Sequence, residues 1–386
     1  MTVCIFFLPV LLLAACLYLI LMAAVIAGLG RMKKEGSGPG PVPTNISIII
    51  PARNEAGKLG QCLEDLLACD PDPVKTEILV VDDFSSDDTA GIATRFAARH
   101  PSFPMKLIRM QDAGLPEGSK KAAIELGVRH ASGELILAAD ADTRRDKNWI
   151  RAIAGFYERH HPKMILGPVS FDRESSLLDR LQSLEFMGLM GATAGSCRSG
   201  FPLLCNGANL AYEKRAFLET GGFSGNKGIV SGDDMFLMMK IRKRYGAGAI
   251  RFLLTEDAAV RTLPAQGLRE FFFQRIRWVS KTKGYRDPAV VASAVITWLF
   301  SFLLIAGLIA GIFCRPILIA SLLTIFLKLI AEYIPVARMA GFFRKKNLLP
   351  LFPVAGILNI FYTVFIGIAG MGVPYTWKAR KVTSVS

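Results

Sequence analysis

Two aspartates one residue apart, Asp140 and Asp142, end the apolar run Leu135-Ile136-Leu137-Ala138-Ala139. A run of that length predicts a strand, and strand alternation points residues i and i+2 the same way. Two carboxylates that close repel unless a cation or many donors sit between them. Oxygen ligands at a strand end, with room for water and phosphate, suit Mg²⁺ or Mn²⁺ holding a diphosphate. The competing reading is a polar turn after a buried strand, because Asp is common in turns. Further on, Ser231-Gly232-Asp233-Asp234 precedes the apolar-patterned helix Phe236 to Ile241, which makes Ser231 an N-cap with Asp234 at the third helical position. The helix dipole there favours a carboxylate and keeps it ionised, the state a general base needs. Gln274, Arg277 and Trp278 fall at i, i+3 and i+4, on one face of a helix. Arg pairs with phosphate bidentately, and Trp offers a flat wall to a sugar or to headgroups. The rival is an amphipathic membrane-surface helix, with Phe271, Phe272, Phe273 and Trp278 beside Arg275, Lys281 and Lys283.

The elements that must position these groups alternate. Ile46 to Ile50 is a β-branched run closed by Pro51, and Leu59, Cys62, Leu63, Leu66 and Leu67 then recur at helical spacing. Ile78 to Val81 is a second strand, ending in Asp82-Asp83, and Ser85-Ser86-Asp87-Asp88 opens a helix to about Arg99 in capping-box style. Met105 to Met110, Ser119 to Ala131 and Leu135 to Ala139 continue as strand, helix and strand. Alternation without hairpin signals implies a mostly parallel sheet covered by helices, whose ligands bind beyond the carboxyl ends of the strands. Pro51 to Glu55, Asp82-Asp83 and Asp140/Asp142 all lie at such ends. No glycine fingerprint follows the first strand and no Walker lysine loop occurs, which argues against NAD, FAD and an NTPase.

The chain is 52% hydrophobic yet 20% charged, too apolar for a wholly soluble enzyme and too charged for a wholly membranous one. Val3 to Leu29 carries no charge and is long enough to span a bilayer. It exceeds the apolar core of a signal peptide, and its basic residues Arg31, Lys33 and Lys34 follow it, so it reads as an uncleaved anchor. Three more candidate spans lie at about 290–313, 316–336 and 350–373. Arg338, Arg344, Lys345 and Lys346 place the loop before the last of them in the cytoplasm. Counting onward puts the tail outside, although it carries Lys378, Arg380 and Lys381. A re-entrant last segment, with Pro350, Pro353 and Gly356, would remove that conflict. Much of the net charge of +14 sits near membrane ends, where it meets anionic headgroups, and no nucleic-acid module appears. Seven cysteines form no C-x-x-C pair and four histidines no H-x-x-x-H pair, so most thiols are expected reduced and zinc is not indicated.

Six motifs in order, Ile-Pro-Ala-Arg-Asn-Glu, Val-Val-Asp-Asp-Phe-Ser-Ser-Asp, Ser-Lys-Lys-Ala-Ala, Ala-Asp-Ala-Asp, Ser-Gly-Asp-Asp and Gln-Arg-Ile-Arg-Trp, resemble the family 2 glycosyltransferases. The resemblance implies an α/β GT-A fold, Rossmann-like, plus α-helical transmembrane segments. It implies an inverting, divalent-metal-dependent transfer from a nucleotide-diphosphate sugar, UDP-linked, to a lipid or glycan acceptor. Pro51, Arg53, Asn54 and Glu55 would line the nucleoside pocket, and Asp82 or Asp83 would contact base or ribose. Lys120 would lie near the diphosphate, with an exposed helix-start lysine as the alternative. Asp140 and Asp142 would form the metal motif, with Asp142 the direct ligand. Asn206 and Asn209 would meet the acceptor, or else stabilise a turn. Asp234 aligns with the catalytic aspartate, and Asp233 stands where the family usually has Glu. Gln274, Arg277 and Trp278 would close the site at the membrane.

The implied division is an anchor at 1–31, a linker at 32–44, a cytoplasmic catalytic domain at 45–268, an interface helix at 269–288, a membrane region at 289–374 and a basic tail at 375–386. A bacterial inner membrane is the expected setting. Few polar residues interrupt the C-terminal segments (Lys328, Glu332, Thr297, Asn359 and Thr363), which favours single transfer to a lipid over a synthase that exports polymer. A sugar-nucleotide-binding subunit without turnover is the alternative from another class.

Overall fold

A computed structural model describes residues 2–35, 44–69, 75–114, 118–225, 229, 231–372, 375–377 and 380–382. Most of the expected linker and part of the basic tail, Lys378 included, lie outside them. Helix α1 (Thr2–Gly30) leads to β1 (Ile46–Ala52), α2 (Leu59–Ala68), β2 (Thr76–Asp82), α3 (Thr89–Arg99), β3 (Met105–Arg109), α4 (Lys120–His130) and β4 (Leu135–Ala138). These four strands pair in parallel in the order β3-β2-β1-β4, as strand–helix alternation predicts. Strands β1, β2 and β4 are buried on both faces, whereas β3, at the sheet edge, is partly exposed. Ile49, Leu79, Val81, Ile136 and Ala138 point to one apolar core, and Ile48, Ile50, Ile78, Val80, Leu135 and Leu137 to the other. Two buried faces explain why the strands read as unbroken apolar runs rather than alternating ones.

The chain continues through β5 (Arg144–Arg145), α5 (Trp149–His160), β6 (Met164–Leu166), β7 (Val169–Phe171), α6 (Leu177–Arg198), β8 (Leu210–Glu213), α7 (Lys214–Glu219), α8 (Asp233–Tyr245), β9 (Ile250–Phe252) and β10 (Val260–Thr262). Strand β8 pairs antiparallel with β4 and with β6, and β9 extends the sheet to seven strands. A second small sheet has the order β5-β10-β7.

Among the described residues, four helices are long and apolar enough to cross a membrane: α1, α10 (Pro288–Gly311), α11 (Arg315–Phe342) and α12 (Phe352–Gly372). Helix α9 (Gly267–Ser280) precedes α10, and a short hairpin, β11 (Tyr375–Trp377) and β12 (Arg380–Val382), follows α12. The inner ends of α1 and α11 belong to the catalytic-side core: Val25, Leu29, Val336 and Met339 are buried with Phe171, Met187 and Met190. Gly28 and Gly195 let α1 and α6 touch backbone to backbone, since a Cβ on either would strike the other helix's main chain. Cys62, Cys69, Cys197 and Cys205 are free thiols, whereas Cys314, in the α10–α11 turn, is disulfide-bonded.

Candidate active site

The carboxyl ends of β1, β2 and β4 open on one cavity of about 160 Å³, lined by Pro51, Arg53, Glu55, Asp83, Lys120, Asp140, Asp142, Ser231, Asp233 and Arg277. The loops after β1 and β2 are knitted together. Asp83 N donates to Ala52 O at 2.8 Å, and Arg53 Nη1 donates to Asp83 O at 2.8 Å. Asn54, at φ 52°, accepts from Ser86 N, so its side chain braces the loop beside the cavity. Phe84 also has a φ of 52°, strained for a bulky residue and held by this double loop. Asp82 is buried, and one of its carboxylate oxygens has no hydrogen-bond partner among the described residues.

Ser119 caps α4 by accepting from Ala122 N, which places Lys120 at the first helical position with its ammonium in the cleft. Lys120 Nζ lies 2.7 Å from Asp140 and 3.6 Å from Asp233. Burial alone would lower the lysine pKa, but these two carboxylates outweigh it and hold it well above the usual range. The ammonium therefore stays charged, at the centre of carboxylates from β4 and α8. Asp142 is half-exposed, 3.8 Å from Lys58 Nζ. Arg145 fixes the turn that carries the pair: it donates to Thr143 Oγ1 at 2.6 Å and to Asp140 O at 3.4 Å, and stacks on Trp149.

Helix α8 starts differently from the sequence expectation. Its N-cap is Gly232, at φ 87°, with no side-chain cap, so Asp233 and Asp234 are the first two helical residues and Ser231 turns to the cavity wall. The left-handed turn that only glycine adopts without strain displaces the Ser cap. The start of α3 departs too: Asp88 is its N-cap without a side-chain bond, while Asp87 accepts from Thr89 N and Ala56 N and ties the two cleft loops. Asp234 accepts from Met235 N at 2.7 Å and from Gly207 N at 3.2 Å, and pairs with Lys281 Nζ at 3.3 Å. Burial would raise its pKa, but Lys281, the Met235 N–H and Lys120 hold the carboxyl below the usual aspartate value.

Two residues singled out by the sequence serve other contacts. Asn209 is buried, donating to Pro168 O and Ala258 O and accepting from Trp149 Nε1, so it presents no polar atom to an acceptor. Asn206 accepts from Ala208 N in a side-chain turn that aims Gly207 N at Asp234. On α9, Arg277 reaches the cavity, Trp278 packs on Phe186, and Gln274 accepts from Arg275. Arg275 does not face headgroups. It is 1% exposed, sandwiched between Phe271 and Trp278 and paired with Glu185 at 2.6 Å. An arginine matched by a carboxylate and two ring faces is more stable inside than on a lipid surface.

Residues 135–369 match the model of glycosyl transferase family group 2, and residues 47–221 that of glycosyl transferase family 2. The chain belongs to the family 2 glycosyltransferases. An N-acetylglucosaminyltransferase of Azorhizobium caulinodans is 26% identical over 65% of this chain and 62% of its own length. A 4,4'-diaponeurosporenoate glycosyltransferase of Staphylococcus aureus is 24% identical over 79% of this chain and 78% of its own. The structure of a Pyrobaculum calidifontis mannosyltransferase, in complex with GDP-Man and Mn²⁺, superposes with a TM-score of 0.56 at 17% identity, covering 94% of this chain and 98% of that one. The soluble part of this family 2 glycosyltransferase thus has the GT-A fold. Lys281, which pairs with Asp234, and Arg145, which bonds the turn carrying Asp140, lie outside the six motifs. Lys281 lies four residues after Arg277, on the same helical face, and that spacing is the signal that could have marked it.

Proposed function

We propose that this chain is a membrane-bound, inverting glycosyltransferase that moves a sugar from a nucleotide-diphosphate donor, UDP-linked, to a hydroxyl of a lipid acceptor. One observation carries the reading: a single cleft joins Asp140 and Asp142 from β4, Lys120 from α4, Asp233 from α8 and Arg277 from the helix leading into the membrane. Pro51, Arg53, Glu55 and Asp83 form the nucleoside end. Asp82 is buried and is not among the residues lining the cavity, so Asp83 is the member of the pair assigned to the base or ribose.

The donor set fits a divalent cation. Mg²⁺ or Mn²⁺ binds through one or two carboxylates and takes its remaining ligands from water and phosphate, so Asp142 and Asp140 suffice beside a diphosphate. Bound there, such an ion would neutralise the leaving diphosphate, and the Mn²⁺ in the complex of the Pyrobaculum mannosyltransferase supports its use. Lys120 and Arg277 add fixed positive charge where negative charge develops. Asp234, next to the cavity-lining Asp233 and kept ionised by Lys281 and the Met235 N–H, is assigned as acceptor of the proton of the attacking hydroxyl as it meets the anomeric carbon from the side opposite the diphosphate. Asp233 orients that hydroxyl, and Trp278 and Gln274 hold α9 in place.

Single transfer to a lipid is favoured over polymer export. Lys328 and Glu332, in the middle of α11, neutralise each other at 2.5 Å, with Tyr18 donating to the same carboxylate. They staple α11 to α1. A subunit without turnover would have no need of the aligned base and cation cluster. The catalytic side is assigned to the cytoplasm of a bacterial inner membrane, which agrees with free thiols there and a disulfide at the α10–α11 turn on the other side. The test is to incubate membranes with a panel of radiolabelled nucleotide sugars and separate lipid-soluble from polymeric product. Label in a lipid-soluble, single-sugar product is expected. Label in polymer supports a synthase, and no transfer from any donor removes the enzymatic reading.

A further inference from the structure

Helix α12 has the length and composition of a membrane span, yet its contacts run across the other spans rather than along them. Helices α10 and α11 form an antiparallel pair in which Gly311 meets Leu318 and Gly307 meets Ser321. That register puts Trp298 of α10 level with Ile330 and Ala331 of α11. The start of α12 touches α11 at this level: the ring of Phe352 lies 5.4 Å from that of Tyr333, and Gly356 abuts Leu329. Its far part touches α10 at the same level: Trp298 Nε1 donates to Val364 O at 3.4 Å, and Gly367 abuts the indole. From Gly356 to Gly367 the helix advances roughly 16 Å at 1.5 Å per residue. It makes no net progress along α10 and α11 over that distance.

Both ends of α12 also stay with the catalytic domain. Phe352 is buried in the same core as Phe171 and Met187, and Lys345, shortly before it, donates to Phe171 O. At the other end Gly370 abuts Val279 of α9, Tyr362 and Phe365 meet Phe271 and Phe272 at 5.5 Å, and the β11 backbone packs beside α9. Two residues beyond Val279, Lys281 holds Asp234. The face of α12 turned away from the protein is a stripe of Val354, Leu358, Phe361, Phe365 and Ile368, each about half exposed. Val295 and Leu299 of α10 and Phe326 and Ile330 of α11 are exposed apolar side chains as well.

We propose that α12 lies in the plane of the bilayer leaflet that adjoins the catalytic domain, with this stripe embedded in lipid, and that the chain crosses the membrane three times, through α1, α10 and α11. The chain after α12, whose last described element is β12, then returns to the catalytic side. The same placement makes α12 a floor under α9, so the cleft is held at the membrane surface. The inference rests on helix packing alone and holds whichever sugar and acceptor the enzyme uses.

The test is labelling of single cysteines in the full-length chain with a membrane-impermeant maleimide, before and after permeabilising the cells, against the parent as background. Ser386→Cys reports the tail, Thr94→Cys the catalytic domain and Phe313→Cys the α10–α11 turn. The tail cysteine is expected to follow Thr94→Cys, protected in intact cells and labelled on permeabilisation, while Phe313→Cys is labelled in both. A C-terminal green fluorescent protein fusion is expected to fluoresce, and a C-terminal alkaline phosphatase fusion to be inactive. Labelling of Ser386→Cys in intact cells, or an active phosphatase fusion, overturns the three-span arrangement.

Discussion

Replacing Asp234 by Asn removes the proposed base while keeping its shape. Asp234 accepts two backbone N–H bonds, from Met235 at 2.7 Å and Gly207 at 3.2 Å, and its charge faces Lys281 at 3.3 Å. An amide keeps one acceptor, so one of the backbone bonds persists. The lost attraction to Lys281 is about 5 kcal/mol by Coulomb's law at an effective dielectric near 20. Most of that is returned by water and neighbouring carboxylates, leaving a net cost of about 1–3 kcal/mol, the worth of a charged hydrogen bond. The variant should therefore fold. Turnover should fall by about 10²–10⁴-fold, the usual contribution of a general base. The assay is initial-rate transfer by the purified full-length chain at saturating donor, with calorimetry of nucleotide binding alongside. Turnover within tenfold of the parent would remove the base assignment. An equal loss of nucleotide affinity would show that the substitution had damaged the donor site instead.

Other residues give separate tests. Asp142→Asn should weaken metal-dependent nucleotide binding; unchanged calorimetric affinity with metal present would count against the ligand role. Lys281→Ala leaves burial to raise the pKa of Asp234, so the acid limb of kcat/KM should move to higher pH while the alkaline side keeps its rate; Lys281→Arg should restore the limb. The depressed pKa of Asp234 also contributes stability that is present above the ordinary aspartate range and lost as pH falls through the folded value, so Lys281→Ala should flatten thermal stability against pH in that window. An unmoved limb would mean that Lys281 does not act through Asp234. Arg275→Leu strands the Glu185 carboxylate and should cost about 3–5 kcal/mol in detergent unfolding. Adding Glu185→Leu should recover most of it, and a double variant no better than the single one would refute the pairing.

Sequence alone determined the catalytic half. Strands β1, β2 and β4 are mostly apolar runs because both of their faces are buried, and such runs are legible without a partner in view. Polar residues at their carboxyl ends had to share one rim, since parallel strands all end on the same side. Strands β6, β8 and β9 were not legible: strands of three or four residues carry too few residues for a period to emerge. Asn209 and Arg275 illustrate the same limit at single positions. An Asn in a turn-like stretch and an Arg among phenylalanines look exposed by composition, but Trp149 and Glu185, distant in sequence, draw them inside. The direction of α12 was also beyond composition. A mostly apolar helix of 21 residues satisfies a bilayer equally well upright or lying flat, and it is the contacts to Tyr333, Trp298 and Val279 that favour the proposed orientation. Local propensity writes elements into a chain, whereas the meeting of side chains far apart along it is decided by packing, where every buried charge must find its partner.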